Sequence, residues 1–197
     1  MDKLPLFPLN VFLLPGEQVQ LYIFEERYKQ LINQCLKEQS AFGIPFSSKI
    51  NTRNFGALVV VKEVLKRYPD GEMDILVESQ GLFRLDKFFH RDGDRLFPAG
   101  EVSPFNLEEI QEPSDLLKAS FREHLAQSED PKTELLVKED LSIFQIVKAL
   151  GLNELEKMNL LKLQSKARIE DYLINYIRYL ELLEYQESGV YQNIYLN

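Results

Sequence analysis

The chain has 197 residues and a formal net charge of −8 at pH 7, because 31 acidic residues outnumber 23 basic ones. Nucleic-acid binders need clustered Lys and Arg to neutralise phosphates, so this balance argues against DNA or RNA as the main partner. With 45% hydrophobic and 27% charged residues, the composition is typical of a globular protein with one large domain or two small ones.

The apolar N-terminal stretch is not an export signal. Pro5, Pro8 and Pro15 interrupt it, and no small-residue cleavage site follows. No other stretch approaches the roughly 20 apolar residues of a membrane-spanning helix. The single cysteine, Cys35, cannot form an internal disulfide, which agrees with a reducing compartment. We therefore expect a cytoplasmic protein without a membrane partner.

The first predicted elements are a strand and a helix. Apolar residues alternate with polar ones at Val19, Leu21 and Ile23. This period predicts a strand with one buried face. The period then changes to steps of four, three and four at Phe24, Tyr28, Leu31 and Cys35. This spacing predicts a helix to about Gln39 that buries these side chains.

Further short strands follow, and most are separated by turn residues. The predicted strands are 42–46, 57–65, 73–79, 82–90 and 95–105, and the turns are Pro69-Asp70-Gly71, Gln80-Gly81 and Asp92-Gly93. The run 57–61 is apolar on both faces, which predicts a central strand. Hairpins with one early helix predict a curled sheet or a partly closed barrel.

Helical periods replace the strands after about residue 105. The predicted helices are 114–127, about 141 to Gly151, one capped by Asn153 with Glu156, and a last helix with a stripe of Ile169, Leu173, Tyr176, Leu180 and Leu183. The stripe indicates a bundle seam or a partner-facing surface. The predicted fold class is α+β, with a β-rich subdomain (1–110), a helical bundle (111–190) and a frayed tail (191–197).

Several motifs occur in a fixed order along the chain. They are L-P-L-F-P-L (4–9), P-G-E (15–17), I-F-E-E-R-Y (23–28), F-G (42–43), Gly56, D-G (70–71) and G-L-F-R-L (81–85), and weaker similarity continues into the helices. Together they resemble the N-terminal, substrate-recognition domain of the ATP-dependent Lon proteases. Glu26 departs from the pattern, because many relatives have proline there.

The resemblance implies a β-rich PUA-like pseudobarrel, with the early helix inserted in it, followed by a helical bundle. It also implies a role in holding protein or peptide substrates. The sequence contains neither a G-x-x-x-x-G-K-[ST] phosphate loop nor a Ser-Lys peptidase domain, so we expect no catalysis and no cofactor.

Charged residues near the predicted helix start form one candidate binding site. Glu25 and Glu26 could act as a general acid and base. A structural role is favoured, because carboxylates stabilise a helix N-terminus, and Arg27 is expected to tie a neighbouring loop to the helix. A polar contact surface is the other interpretation. Arg84 lies between apolar neighbours on a strand, where a half-buried ion pair is more common than ligand binding.

Metal and nucleophile sites have no sequence support. His90 and His124 lie far apart in the sequence, and the carboxylates of 70–74 fit a hairpin better than a calcium loop. Cys35 is in phase with the apolar helical face, which favours an inert packed thiol, and no G-x-S-x-G motif occurs. We predict no metal.

Phe88 and Phe89 are consecutive in a predicted strand, so they point to opposite faces unless a bulge intervenes. One of them is therefore expected to be exposed. An exposed apolar patch suits the capture of unfolded segments.

The favoured hypothesis is a binding module for exposed apolar polypeptide, which holds unfolded or partly folded chains for a protease or chaperone machine. The candidate binding residues are Glu25, Glu26, Arg27, Arg84, Phe88 and Phe89. The alternatives are a scaffold that docks one dedicated partner or self-associates, and a small hydrolase without a recognisable motif. The oligomeric state stays open.

Overall fold

The computed structural model of the protein describes residues 3–51, 54–91, 93–106, 108–127, 141–163 and 165–194. The chain divides into two units, Met1–Leu107 and Glu108–Asn197. The first unit contains a mostly antiparallel sheet and a helix, and the described part of the second contains helices. The fold class is thus α+β.

The sheet forms one path of antiparallel strands. Its elements are β1 (Leu4–Pro5), β2 (Gln18–Ile23), β3 (Phe42–Pro45), β4 (Phe55–Arg67), β5 (Met73–Phe89) and β6 (Ala99–Phe105), with helix α1 (Glu26–Glu38) between β2 and β3. The strand order is β1-β6-β5-β4-β3, and β2 also pairs with β5. β4 lies between two strands, so its apolar run is central, as the sequence predicts.

The segment 4–9 pairs with strands on both of its sides. Leu4 and Pro5 of β1 pair with β6. Further along, the amide of Phe7 donates to the carbonyl of Gly43 at 2.8 Å, and the amide of Ser47 donates to the carbonyl of Leu9 at 2.8 Å. When β1 is set aside, β6 and β3 are the two end strands of the order. Residues 4–9 pair with both and therefore join the two ends.

The predicted turn at Gln80-Gly81 is wrong, because β5 continues through it. Gly81 pairs with Leu58 and Ser79 pairs with Val59, so Gln80 is an extra residue in the register. A glycine inside a strand often marks such a bulge. The turn at 69–71 is confirmed by a hydrogen bond of 3.1 Å from the amide of Gly71 to the carbonyl of Tyr68.

The predicted start of β6 is wrong. β6 begins at Ala99, because Arg95 forms only an isolated β-bridge and residues 96–98 are not strand. In the turn signal Asp92-Gly93, Asp92 lies outside the described residues.

Helix α1 ends where the sequence predicts, since Gln39 adopts a left-handed φ of 52° directly after Glu38. Tyr28, Leu31 and Cys35 are buried, as expected. Phe24 is different, because its side chain is 57% exposed. It lies between the end of β2 and the start of α1, so the helical period does not extend to it and its predicted burial is wrong.

The core of the sheet unit includes a close contact between one aromatic ring and two glycines. Phe83 is 2% exposed and packs over Gly43 and Gly56. A Cβ atom on Gly56 would lie 2.4 Å from Cζ of Phe83 and 2.9 Å from the carbonyl oxygen of Ile44. Only glycine fits at this position without a shift of its neighbours.

The second unit contains α2 (Glu108–Gln111), α3 (Asp115–Gln127), α4 (Ile143–Ala149), α5 (Glu154–Lys162) and α6 (Lys166–Ile194). Gly151 has a φ of 69°, and it follows α4 as predicted. Asn153 and Glu156 form the predicted capping box of α5.

Helix α6 buries its predicted stripe only in part. Ile169 and Leu173 are buried, whereas Leu183 is 36% exposed. The helix continues to Ile194, where the sequence predicts a frayed tail from residue 191, and residues 195–197 lie outside the described residues.

Candidate functional site

A groove in the sheet unit has apolar walls that are accessible from outside. Its volume is about 240 Å³, and its walls include Pro8, Pro45, Phe46, Leu85 and Phe88. Three segments bring these side chains together: the N-terminal segment, the end of β3 and the second half of β5. We call this surface the groove.

A bulge in β5 precedes the exposed phenylalanine of the groove. Leu85 pairs with Val102 and Lys87 pairs with Glu101, so Asp86 is the extra residue. Phe88 is 37% exposed and lines the groove. The ring of Phe89 instead contacts cations, with Nζ of Lys3 at 4.1 Å and Nζ of Lys87 at 4.8 Å from its centre. The two phenylalanines thus have different environments.

Asn51 organises the polar side of the groove. Its Nδ2 donates to the carbonyls of Phe46 at 2.9 Å and Phe55 at 2.8 Å, and its Oδ1 accepts from the amide of Phe55 at 2.8 Å. Both protons of Nδ2 are therefore used within the chain. Asn51 therefore shapes the groove, and Ser47 and Asn54 also line its polar side.

A second exposed surface lies where the β4–β5 hairpin meets the end of β2, and we call it the aromatic platform (Tyr22, Phe24 and Tyr68). The centre of the Tyr22 ring lies 5.7 Å from that of Phe24 and 6.0 Å from that of Tyr68. Tyr22 is 50% exposed. The hydroxyl of Tyr22 donates to Glu72, and the hydroxyl of Tyr68 donates to Asp74 at 2.9 Å. These hydrogen bonds fix both tyrosine rings.

The predicted charged cluster lies at the start of α1, directly after Phe24. Nε of Arg27 donates to Oε2 of Glu25 at 2.8 Å, and Nζ of Lys29 lies 3.0 Å from Oε1 of Glu26. Lys29 also donates to the carbonyl of Asp70 at 3.0 Å. The tie between helix and hairpin is therefore made by Lys29, and Arg27 pairs with Glu25 instead.

Arg84 is exposed, so its predicted half-buried environment is wrong. Its side chain is 60% accessible, and Nε donates to Oδ1 of Asp86 at 3.0 Å. Successive strand residues point to opposite faces, and the adjacent Phe83 is buried, so Arg84 points outward. Hydrogen bonds from Ser103 and Arg84 hold the pKa of Asp86 below its usual value.

The comparison with known protein families identifies the chain. The family of the ATP-dependent protease La (LON) substrate-binding domain matches residues 3–184. The chain belongs to this family. This LON domain is similar to the crystal structure of a Lon N-terminal domain protein from Xanthomonas campestris, with 25% sequence identity and a TM-score of 0.65 over 89% of this chain and 98% of that one.

The LON domain also shares its fold with the N-terminal domain of a Mycobacterium avium complex Lon protease. The identity is 16% and the TM-score is 0.62, over 90% of this chain and 98% of that one. No curated protein matches the sequence.

Cys35, the single cysteine of the LON domain, is a packed core residue. Cys35 is 4% exposed, and burial raises the pKa of its thiol, so the reactive thiolate is disfavoured. Within the described residues, no group of three His, Cys, Asp or Glu side chains is placed to hold a metal ion. None of the described helices combines the length and apolar character needed to cross a membrane.

The aromatic platform was not predicted from the sequence. One signal was present, since Tyr22 occupies the polar face of the alternating strand 18–23, where an aromatic ring must meet water. Tyr68 comes from a distant hairpin, and only the register of β2 with β5 places it beside Tyr22.

Proposed function

We propose that this LON domain is a non-catalytic module that binds exposed apolar segments of unfolded or partly folded polypeptides. The observation that carries the proposal is the groove with Phe88 at its wall. The family to which the chain belongs is a substrate-binding domain, and the groove offers an apolar surface to a substrate. Folded proteins bury their large apolar side chains, so such a surface distinguishes unfolded chains from folded ones.

The size of the groove supports a polypeptide ligand. Its volume of about 240 Å³ is below the range of about 300 to 1,000 Å³ that is usual for small-molecule pockets. A groove of this size suits one or two apolar side chains of an extended segment. Binding then depends more on whether the substrate exposes apolar side chains than on a long sequence motif.

We further propose that the sheet closes into a PUA-like pseudobarrel over residues 1–110 and that residues 111–190 form a helical bundle. The pairing of segment 4–9 with both β6 and β3 supports closure of the sheet. The packing of α3 against α6 supports a bundle.

The proposed role is to hold polypeptide for a protease or chaperone machine in the cytoplasm. Of the six candidate residues, Phe88 belongs to the groove, and Glu25, Glu26 and Arg27 adjoin the aromatic platform. Arg84 donates a hydrogen bond to Asp86, and the ring of Phe89 contacts two lysines of the same chain.

One observation favours a second function, the docking of a dedicated protein partner. Helix α6 exposes apolar side chains in its second half, where Leu182 is 60% and Tyr185 is 78% exposed. A pull-down that yields a single stoichiometric partner, retained by the wild type and lost on Leu182→Ser, supports this function.

The main proposal is tested by fluorescence anisotropy with a labelled, reduced and carbamidomethylated protein that stays unfolded. Phe88→Ala is expected to weaken binding about tenfold, since about 1.4 kcal/mol of apolar contact is lost. Leu96→Ala is the matched control, because Leu96 is 52% exposed but is not part of the groove.

The native, folded form of the same labelled protein must bind poorly. Equal affinity of the wild type for folded and unfolded forms contradicts the proposal. So does an equal loss for Phe88→Ala and Leu96→Ala.

A further inference from the structure

We propose that the aromatic platform recognises a basic side chain, arginine above all, in the polypeptide that the LON domain binds. This inference rests on the proposed function, and it names the residue type that a second surface of the sheet unit selects.

The platform offers aromatic faces to a ligand. Tyr22 and Phe24 are 50% and 57% exposed, and their rings lie 5.7 Å apart. Such rings attract a cation that lies over their faces. Tyr68 already has one, because Nζ of Lys66 lies 4.3 Å from the centre of its ring. Among the described residues, no lysine or arginine lies over Tyr22 or Phe24.

The edge of the platform carries negative charge. Glu72 and Asp74 accept hydrogen bonds from the hydroxyls of Tyr22 and Tyr68, which are neutral donors and leave the charge of the carboxylates in place. Neither carboxylate takes part in an ion pair within the described residues. Glu25 differs, because Arg27 pairs with it at 2.7 Å.

These two features together favour a guanidinium group. Its plane stacks on an aromatic ring, while its N–H groups point outward and reach a carboxylate at the edge of the ring. An acidic segment is repelled by Glu72 and Asp74, and a purely apolar segment gains nothing from their charge. Charge complementarity therefore selects a polypeptide that carries an arginine in addition to the apolar residues that bind the groove at the other end of β5.

The test uses two labelled peptides that are identical except at one position. Each alternates leucine and serine over twenty-four residues, which is long enough to extend along β5 from the platform to the groove, and the second position is arginine in one and citrulline in the other. Citrulline keeps the shape of arginine and removes its charge. We expect the arginine peptide to bind about fivefold more tightly at low salt, and about 0.5 M salt to remove most of this preference.

Two variants assign the preference to the platform. Glu72→Gln is expected to reduce the ratio of the two affinities to below about twofold without changing the affinity of the citrulline peptide. Phe88→Ala is expected to weaken both peptides equally, since the groove contacts their apolar residues. Leu96→Ala leaves both affinities unchanged.

Equal binding of the two peptides by the wild type overturns the inference and leaves the proposed function intact. An unchanged ratio in Glu72→Gln overturns it as well. Failure of both peptides to bind overturns the inference together with the proposed function.

Discussion

Replacing Gly56 with alanine tests how closely the sheet unit is packed. The added Cβ atom would lie 2.4 Å from Cζ of Phe83 and 2.9 Å from the carbonyl oxygen of Ile44. The ring alone cannot resolve both contacts, because the second partner is backbone of β3, which pairs with β4 at this point. Overpacking of this kind costs about 1 to 3 kcal/mol, and we expect the upper end.

Urea denaturation followed by circular dichroism measures the effect. For a slope of about 2 kcal/mol per molar urea, a loss of about 3 kcal/mol lowers the midpoint by about 1.5 M. Gly81→Ala is the matched control, since no atom lies within 4 Å of its added Cβ and its φ is not positive. Its free energy of unfolding is expected to change by no more than about 0.5 kcal/mol.

A double-mutant cycle assigns the loss to the ring. Phe83→Leu shortens the side chain that Gly56→Ala contacts, so the combined loss is expected to be at least about 1 kcal/mol smaller than the sum of the two single losses. Strict additivity, or a Gly56→Ala variant as stable as the wild type, refutes the reasoning.

Two other predictions concern buried polar groups. Nδ1 of His124 is buried and has no hydrogen-bond partner among the described residues. The variant His124→Leu is therefore expected to raise the free energy of unfolding by about 1 kcal/mol. His90 is exposed, so His90→Leu is the control and is expected to cause no change. A loss of stability in His124→Leu contradicts this. Burial raises the pKa of Tyr28 and of Cys35 above their ordinary values of 10.0 and 9.0, so the folded state retains these protons more strongly than the unfolded state. Their contribution to stability is complete below about pH 9 and is lost as the pH rises through the raised pKa values. Urea titrations from about pH 8 to 10.5 are expected to show this loss as a decline in the free energy of unfolding. The double variant Cys35→Ala with Tyr28→Phe is expected to show a smaller decline.

The elements that the sequence predicts best are those set by local patterns. The period of Tyr28, Leu31 and Cys35 places α1, and the pair Asn153 and Glu156 marks the start of α5, because a capping box involves only residues within one turn. These signals need no knowledge of distant residues.

The errors occur where pairing between strands decides the structure. Gln80-Gly81 has the composition of a turn, but β4 pairs with β5 on both sides of it and accommodates the extra residue as a bulge. Phe24 matches a helical period, yet the helix begins only after Glu25. Neither result is visible in a local pattern.

The candidate site was predicted only in part. The alternation of strand residues predicts that one of Phe88 and Phe89 leaves the core unless a bulge intervenes, and it does not say which. The groove also needs Pro8 and Pro45, which come from segments that meet only in the folded sheet. The platform likewise depends on a hairpin that brings Tyr68 beside Tyr22.

The double pairing of segment 4–9 has a consequence for how the protein is made. The amide of Leu6 donates to the carbonyl of Pro98 at 2.8 Å, and this partner is synthesised long after Leu6. At a translation rate of about 5 to 20 residues per second, the apolar segment waits roughly 5 to 20 s on the ribosome before its second neighbour emerges. During that interval the nascent chain lacks this partner and exposes Leu6 and Phe7, two apolar residues that the finished sheet buries.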